Sequence, residues 1–318
     1  MVPSPASWRT RGALGQALLG VATVVLLWWF AHSVRGGLAR EGITLGFGFL
    51  HQPANFDIGE RSGLRFTPED TVGRAIVVGL VNTARIALVG SVLALILGFV
   101  VGTLRLVDNA LLRGVMRAGV EVMRNTPLLL LLFLLIATLH AMPPPSHAFE
   151  PLPGVFLSDR GLVLPFPHTP RFVGFNFVGG TTLSPEFAAL AAALVLHHGA
   201  HISEVVRGAI LAIPRGQRDA ALALGMSPWQ VSRLVVIPQA LRAMVPLLAT
   251  NCVSLIKNSS LAVAIGFPDV VSVLNTTANQ TGHGVEAMAI MLGVYLALSL
   301  GVASLLNVYN ARLLRRGA

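Results

Sequence analysis

Charge is the first thing this sequence is short of. Only 12% of its 318 residues are Asp, Glu, Lys or Arg, against about 25% in an ordinary soluble domain. Cysteine is nearly absent: Cys252 stands alone, which excludes an internal disulfide framework and any CxxC metal or redox site. The charge that exists is one-sided, with a formal net of +9. No basic patch interleaved with aromatics accompanies it, so nucleic-acid binding is excluded as its purpose. There is no GxxxxGK[ST] run to cradle nucleotide phosphates and no His-Glu-x-x-His protease motif. Internal repeats and a separate soluble domain are also missing. What is abundant is apolar sequence: 54% hydrophobic residues and a mean hydropathy of +0.71 define a membrane protein.

Apolar windows of spanning length fall near 14–33, 77–104, 119–141, 186–208, 243–266 and 285–308. In lipid each must satisfy its own backbone hydrogen bonds, which makes them helices. The first window follows Arg9 and Arg11 and ends in Trp28-Trp29-Phe30. That is an interfacial anchor rather than a small-residue cleavage site, so a retained span is expected. With the N-terminus inside, fourteen arginines fall on the cytoplasmic side and seven outside. The asymmetry places both ends, 1–13 and 311–318, in the cytoplasm. Loops 34–74 and 142–185 then lie outside. The second carries Pro143-Pro144-Pro145, Pro151, Pro153, Pro165, Pro167 and Pro170, which leaves no room for a long helix.

Residues 213–238 form a polar, basic, helix-prone stretch between apolar segments. Ala220 and Ala221 are small and helix-favouring. Gly225 permits a turn that a Cβ would obstruct. Ser227 and Pro228 suit an N-cap and a first helical turn. Met226 and Trp229 could fill pockets on a partner. Asp219-Ala220-Ala221, Gly225 four residues later, and the Val235-Val236-Ile237-Pro238 close resemble the cytoplasmic coupling loop of ABC importer permeases. Glu121-Val122-Met123-Arg124-Asn125-Thr126-Pro127 resembles the opening of the second core span in polar-amino-acid permeases of that kind. Ser203-Glu204 with Arg207-Gly208, and Lys257-Asn258-Ser259-Ser260-Leu261, resemble their later segments in the same order. Phe56-Asp57-Ile58-Gly59 and the run from Gly46 to Leu50 are similar to the general L-amino-acid subgroup.

The resemblance implies an all-α integral membrane protein of about six transmembrane helices: a five-helix ABC importer permease core over 75–310 plus an N-terminal anchor helix. It implies a bacterial inner-membrane subunit with no ATP site of its own. Its partners would be an ABC ATPase dimer carrying ATP and Mg, a second permease subunit and a periplasmic amino-acid-binding protein. Asp219, Ala220, Ala221, Gly225, Met226 and Trp229 would form the ATPase-coupling interface. This chain departs from the family at Asp219, where Glu is preferred, and at Leu128, where Gln is frequent. The Pro-rich loop 142–185 replaces the extra spans common in the subgroup.

Within the spans, Lys257 is the outstanding charge, since burying one at a helix centre costs roughly 2.5–3.5 kcal/mol. Asn251, Asn258 and Ser259 lie near it, and these four residues are the candidate substrate pathway. An inter-helix hydrogen-bond cluster is the competing reading. His197 and His201 are one helical turn apart, with Glu204 on the same face, a spacing that could hold a metal. Two other functions therefore stay open: an intramembrane metalloenzyme using the histidines, and an ion-coupled transporter using Lys257 and Glu204. Glu121 and Arg124, three apart, are a candidate ion pair.

Overall fold

A computed structural model describes residues 5–40 and 46–315. Residues 316–318 of the expected tail lie outside them, and 311–315 belong to the last helix. The chain divides into two units. The first contains a single helix, α1 (Pro5–Arg40), whose apolar stretch Leu18–Phe30 falls inside the expected span 14–33. That stretch is shorter than the ~20 residues a perpendicular crossing needs.

The second unit holds the bundle. Its spans are α2 (Val72–Leu104), α5 (Pro185–Leu211), a long composite helix over Pro228–Ile265, and α10 (Gly284–Arg315). Helices α3 (Ala110–Asn125) and α4 (Leu128–His140) form a pair bent by 105°. Among the described residues there are thus four apolar helices of spanning length, or five with the bent pair counted as one span.

Small residues set how closely the central helices pack. A Cβ on Gly98 of α2 would overlap Ile202 of α5, and one on Gly102 would sit 2.8 Å from the Ser203 carbonyl. Close backbone approach of this kind is how helices associate where no hydrophobic driving force exists between them. Around this contact Ile86, Leu132, Leu190, Leu194 and Leu255 form the buried core.

The expected span 119–141 is not continuous. Pro127 has no N–H to donate, and it pushes the preceding residue out of the helical region. Thr126 accordingly adopts φ −84°, ψ 124° and the chain turns there. The composite helix is also longer than expected. It starts at Pro228 with α7 (Pro228–Gln230), passes through a π-helical turn at Val231–Val236 and continues as α8 (Ile237–Asn258). The π turn ends just before Pro238, whose missing donor would have broken a regular ladder there. A 3₁₀ segment, Ser259–Ile265, closes it.

Helix α1 extends to Arg40, into the segment expected as outer loop 34–74, and from Gly48 on that segment packs on the bundle. Phe49, Ile58 and Phe66 pack on Val72, Ala75 and Val78 of α2 and on Val273. Val273 belongs to α9 (Val270–Thr281), a helix that span-seeking hydropathy overlooks because it is short and polar. Asp269 caps it, accepting from Ser272 N at 2.8 Å. Residues 142–185, read from sequence as a loop with no room for a long helix, build six short strands. The strands β1 (Phe149–Leu152), β2 (Val155–Ser158), β3 (Gly161–Leu164) and β6 (Thr181–Leu183) form an antiparallel sheet in that spatial order. A hairpin of β4 (Arg171–Val173) and β5 (Asn176–Val178) packs beside it through stacked Phe156 and Phe177.

Candidate functional site

Between α5 and the composite helix lies a compact hairpin built by local rules. Its first arm is α6 (Arg215–Ala223). Gly225 takes φ +81°, its N–H reaches Leu222 O at 2.9 Å, and Met226 N–H reaches Ala221 O at 3.2 Å. This pair of bonds is the Schellman stop, which needs a left-handed residue best supplied by glycine. The second arm begins with a capping box. Ser227 Oγ accepts from Gln230 N at 3.3 Å, and Gln230 Oε1 accepts from Ser227 N at 2.8 Å. The cap and the Pro228 helix start match the sequence expectation. The role of Gly225 differs in one respect: an added Cβ would meet nothing within 4 Å. Backbone conformation, not crowding, is what requires glycine there.

The hairpin is fastened at both feet. Arg218 Nη2 donates to Ile210 O at the end of α5 (3.2 Å), and Gln239 Nε2 of α8 donates to Gln217 Oε1 (2.6 Å). Ala221 is buried with Val231 and Val236, and Met226 packs against that cluster. These two residues hold the hairpin together from inside. Its outward face carries Asp219, Ala220, Gly225 and a set of large apolar side chains: Leu222, Leu224 (83% exposed) and Trp229 (66% exposed). Leu222 and Leu224 were absent from the sequence-derived set. Their exposure depends on the phase at which Ala221 turns inward, which the sequence alone does not reveal.

The candidate pathway residues do not form one wall. Asn251 borders a cavity of about 470 Å³ between α5 and α8, together with His201, Arg124 and Glu204. Lys257 borders a different cavity, about 670 Å³, with Tyr295, Met291 and Ser299 of α10. Its ammonium group has no anionic partner among the described residues. Asn258 Nδ2 lies 3.2 Å from His198 Nε2, tying the end of α8 to α5. Ser259 is buried and its Oγ donates to Ile256 O at 2.7 Å. His197 and His201 rings stand 4.9 Å apart, and among the described residues no three His, Cys, Asp or Glu side chains converge as metal ligands.

Glu204 instead joins two arginines. Arg105 Nη1, at the end of α2, donates to its Oε2 at 2.6 Å, and Arg207 Nη2 donates to its Oε1 at 2.5 Å. Arg105 is only 8% exposed, so this bridge links α2 to α5 at the hairpin end of the bundle. Glu121 pairs with Arg117, not with Arg124 as expected: Arg117 Nε donates to it at 2.8 Å, one full helical turn away. Both spacings permit contact on a helix face, so spacing could not decide.

Spans packed through glycine, polar groups bordering inter-helix cavities and a braced hairpin at one end describe a multi-span helical membrane bundle. The chain belongs to the family described as the inner membrane component of binding-protein-dependent transport systems, whose profile matches residues 74–316. Members of this inner-membrane family are permeases and are not themselves catalytic. The chain is 34% identical to the general L-amino acid transport system permease protein AapQ of Rhizobium johnstonii, covering 95% of this chain and 92% of the relative. That alignment runs over 369 positions, more than this chain's 318 residues, so the relative carries inserted sequence. Identity to the glutamate/aspartate import permease protein GltK of Escherichia coli O157:H7 is 32%, over 74% of this chain and 91% of that one. In fold, the chain matches a crystal structure of an amino acid ABC transporter with histidines at a TM-score of 0.58 and 23% identity, covering 76% of this chain and 94% of the other.

Proposed function

We propose that this chain is the membrane-spanning permease subunit of an ATP-driven, binding-protein-dependent amino-acid importer, and that residues 213–230 are its coupling element. The observation that carries the coupling role is the hairpin's design. Its inner residues, Ala221 and Met226, serve the chain itself. Its outer face leaves Leu222, Leu224 and Trp229 exposed beside Asp219 and Ala220. Apolar and aromatic groups on a rigid protrusion at the end of the spans are what a docking anchor requires. The feet are hydrogen-bonded to α5 and α8, so a push on the hairpin moves both helices.

In this reading a dimeric ATPase binds ATP and Mg, hydrolyses the nucleotide and presses on the hairpin. This chain holds no cofactor. A second permease completes the pathway, and a binding protein delivers the amino acid from the side of residues 142–185. Both termini are cytoplasmic. Asn251, Lys257, Asn258 and Ser259 serve the pathway in different ways. Lys257 is a charge awaiting an anion from outside this chain, either a substrate carboxylate or the second permease. Asn258 and Ser259 hold α8 in place.

Site-specific crosslinking tests the coupling element. In a Cys252→Ser background, cysteine at position 220 or 224 should crosslink to the ATPase subunit, with a yield that changes when ATP is added. Absence of any crosslink from either position, in a complex that assembles, refutes the assignment.

A further inference from the structure

At the hairpin end of the bundle, cations outnumber the carboxylates that face them. A cavity of about 350 Å³ lies between the end of α2, α3 and α5. Five arginines border it, Arg105, Arg113, Arg117, Arg124 and Arg207, against Glu121 and Glu204. Both carboxylates are already engaged: Glu204 by Arg105 and Arg207, Glu121 by Arg117. Arg113 and Arg124 have no ion-pair partner among the described residues. Arg207 Nε is buried with no hydrogen-bond acceptor. A buried donor left unmatched costs roughly 1–3 kcal/mol, so the cavity calls for further anionic oxygen atoms.

The neighbouring surface indicates the form in which they arrive. The 105° bend lays α3 across the direction of α4. Leu111, Val115 and Val122 are exposed along one side of its buried row, and Arg113, Arg117 and Arg124 run along the other. A helix with exposed apolar and basic stripes is suited to the membrane interface. A second cavity, about 310 Å³, opens beside the same helix, lined only by uncharged residues that include Leu97, Val101, Met116, Val120 and Leu196. It too lies between α2, α3 and α5. A charged pocket and an apolar pocket along one interfacial helix match a headgroup and a tail.

We propose that these two cavities bind one anionic phospholipid, with its phosphate among the arginines and an acyl chain against Val120 and Met116. Basic pockets between membrane helices are suited to such headgroups. Lipid binding here would brace α3 against α2 and α5 at the end that carries the hairpin.

Native mass spectrometry of the complete detergent-solubilised transporter tests this, with short-chain phosphatidylglycerol, short-chain phosphatidylcholine and inorganic phosphate as probes. Phosphatidylglycerol should bind in preference to phosphatidylcholine. The double substitution Arg113→Gln, Arg124→Gln should weaken it about 30-fold, from a roughly fivefold contribution of each cation. Gly119→Phe fills the apolar cavity from a position where an added Cβ meets nothing within 4 Å. It should weaken phosphatidylglycerol while leaving phosphate binding unchanged, and it remains informative if the arginine variant fails to assemble. Equal binding of the two lipids overturns the proposal, as does unaltered phosphatidylglycerol binding in both variants. Arginine-dependent binding of inorganic phosphate together with indifference of phosphatidylglycerol to Gly119→Phe overturns it in favour of a free anion.

Discussion

Replacing Gly225 by valine perturbs one backbone angle and little else. The native φ is +81°, and an added Cβ would find no neighbour within 4 Å. The penalty is therefore conformational: about 1–3 kcal/mol for a non-glycine residue held in the left-handed region, with a β-branched one toward the upper end. Relief requires surrendering the bonds from Gly225 N to Leu222 O and from Met226 N to Ala221 O, which end α6. At about 2 kcal/mol the formed hairpin becomes roughly 30-fold less favoured relative to alternatives. Membrane insertion should survive, because Gly225 lies between the spans ending at Leu211 and starting at Pro228. Uptake and substrate-stimulated ATP hydrolysis by the whole complex in vesicles should both fall, or hydrolysis should persist without uptake. Gly225→Asn should be milder, since asparagine tolerates this region better. A Gly225→Val complex with normal uptake and normal stimulation would refute the reasoning.

Asp219→Ala should reduce coupling only slightly, because an exposed ion pair contributes about 0–1 kcal/mol. Its transport rate should stay well above that of Gly225→Val. Glu204→Gln strands the buried guanidinium of Arg105, and breaking such a pair costs about 3–5 kcal/mol when burial is complete. With Glu204 partly exposed the loss should be smaller, read as a lowered melting temperature of the purified subunit. Gly98→Val forces side-chain atoms into Ile202 of α5 and should sharply lower the amount of folded protein in the membrane, measured by fluorescence-detected size exclusion. Lys257→Met should impair transport more than assembly; normal transport would remove Lys257 from the pathway.

Local chemistry proved readable where it acts locally. The Ser227 cap, the Pro228 helix start and the Gly225 turn each depend on neighbours within four residues, and all three stand where the sequence placed them. The Thr126-Pro127 bend was equally local. A hydropathy window averaged over it and returned one span. The strands of 149–183 are three or four residues long, too short for alternation to rise above the prolines between them. Contacts between distant segments were out of reach. Nothing in the sequence pairs Arg105 with Glu204 or places Asn251 and Lys257 in separate cavities, because both depend on how α2, α5, α8 and α10 rotate about their axes.

The central claim is that this chain is the ATP-coupled path for an amino acid. Its most direct test is uptake of radiolabelled amino acids by proteoliposomes holding the permeases, the ATPase and the binding protein, with ATP inside and ion gradients collapsed by ionophores. Uptake that requires both ATP and the binding protein is the predicted result. Uptake that proceeds without ATP, driven by a sodium or proton gradient, would contradict it.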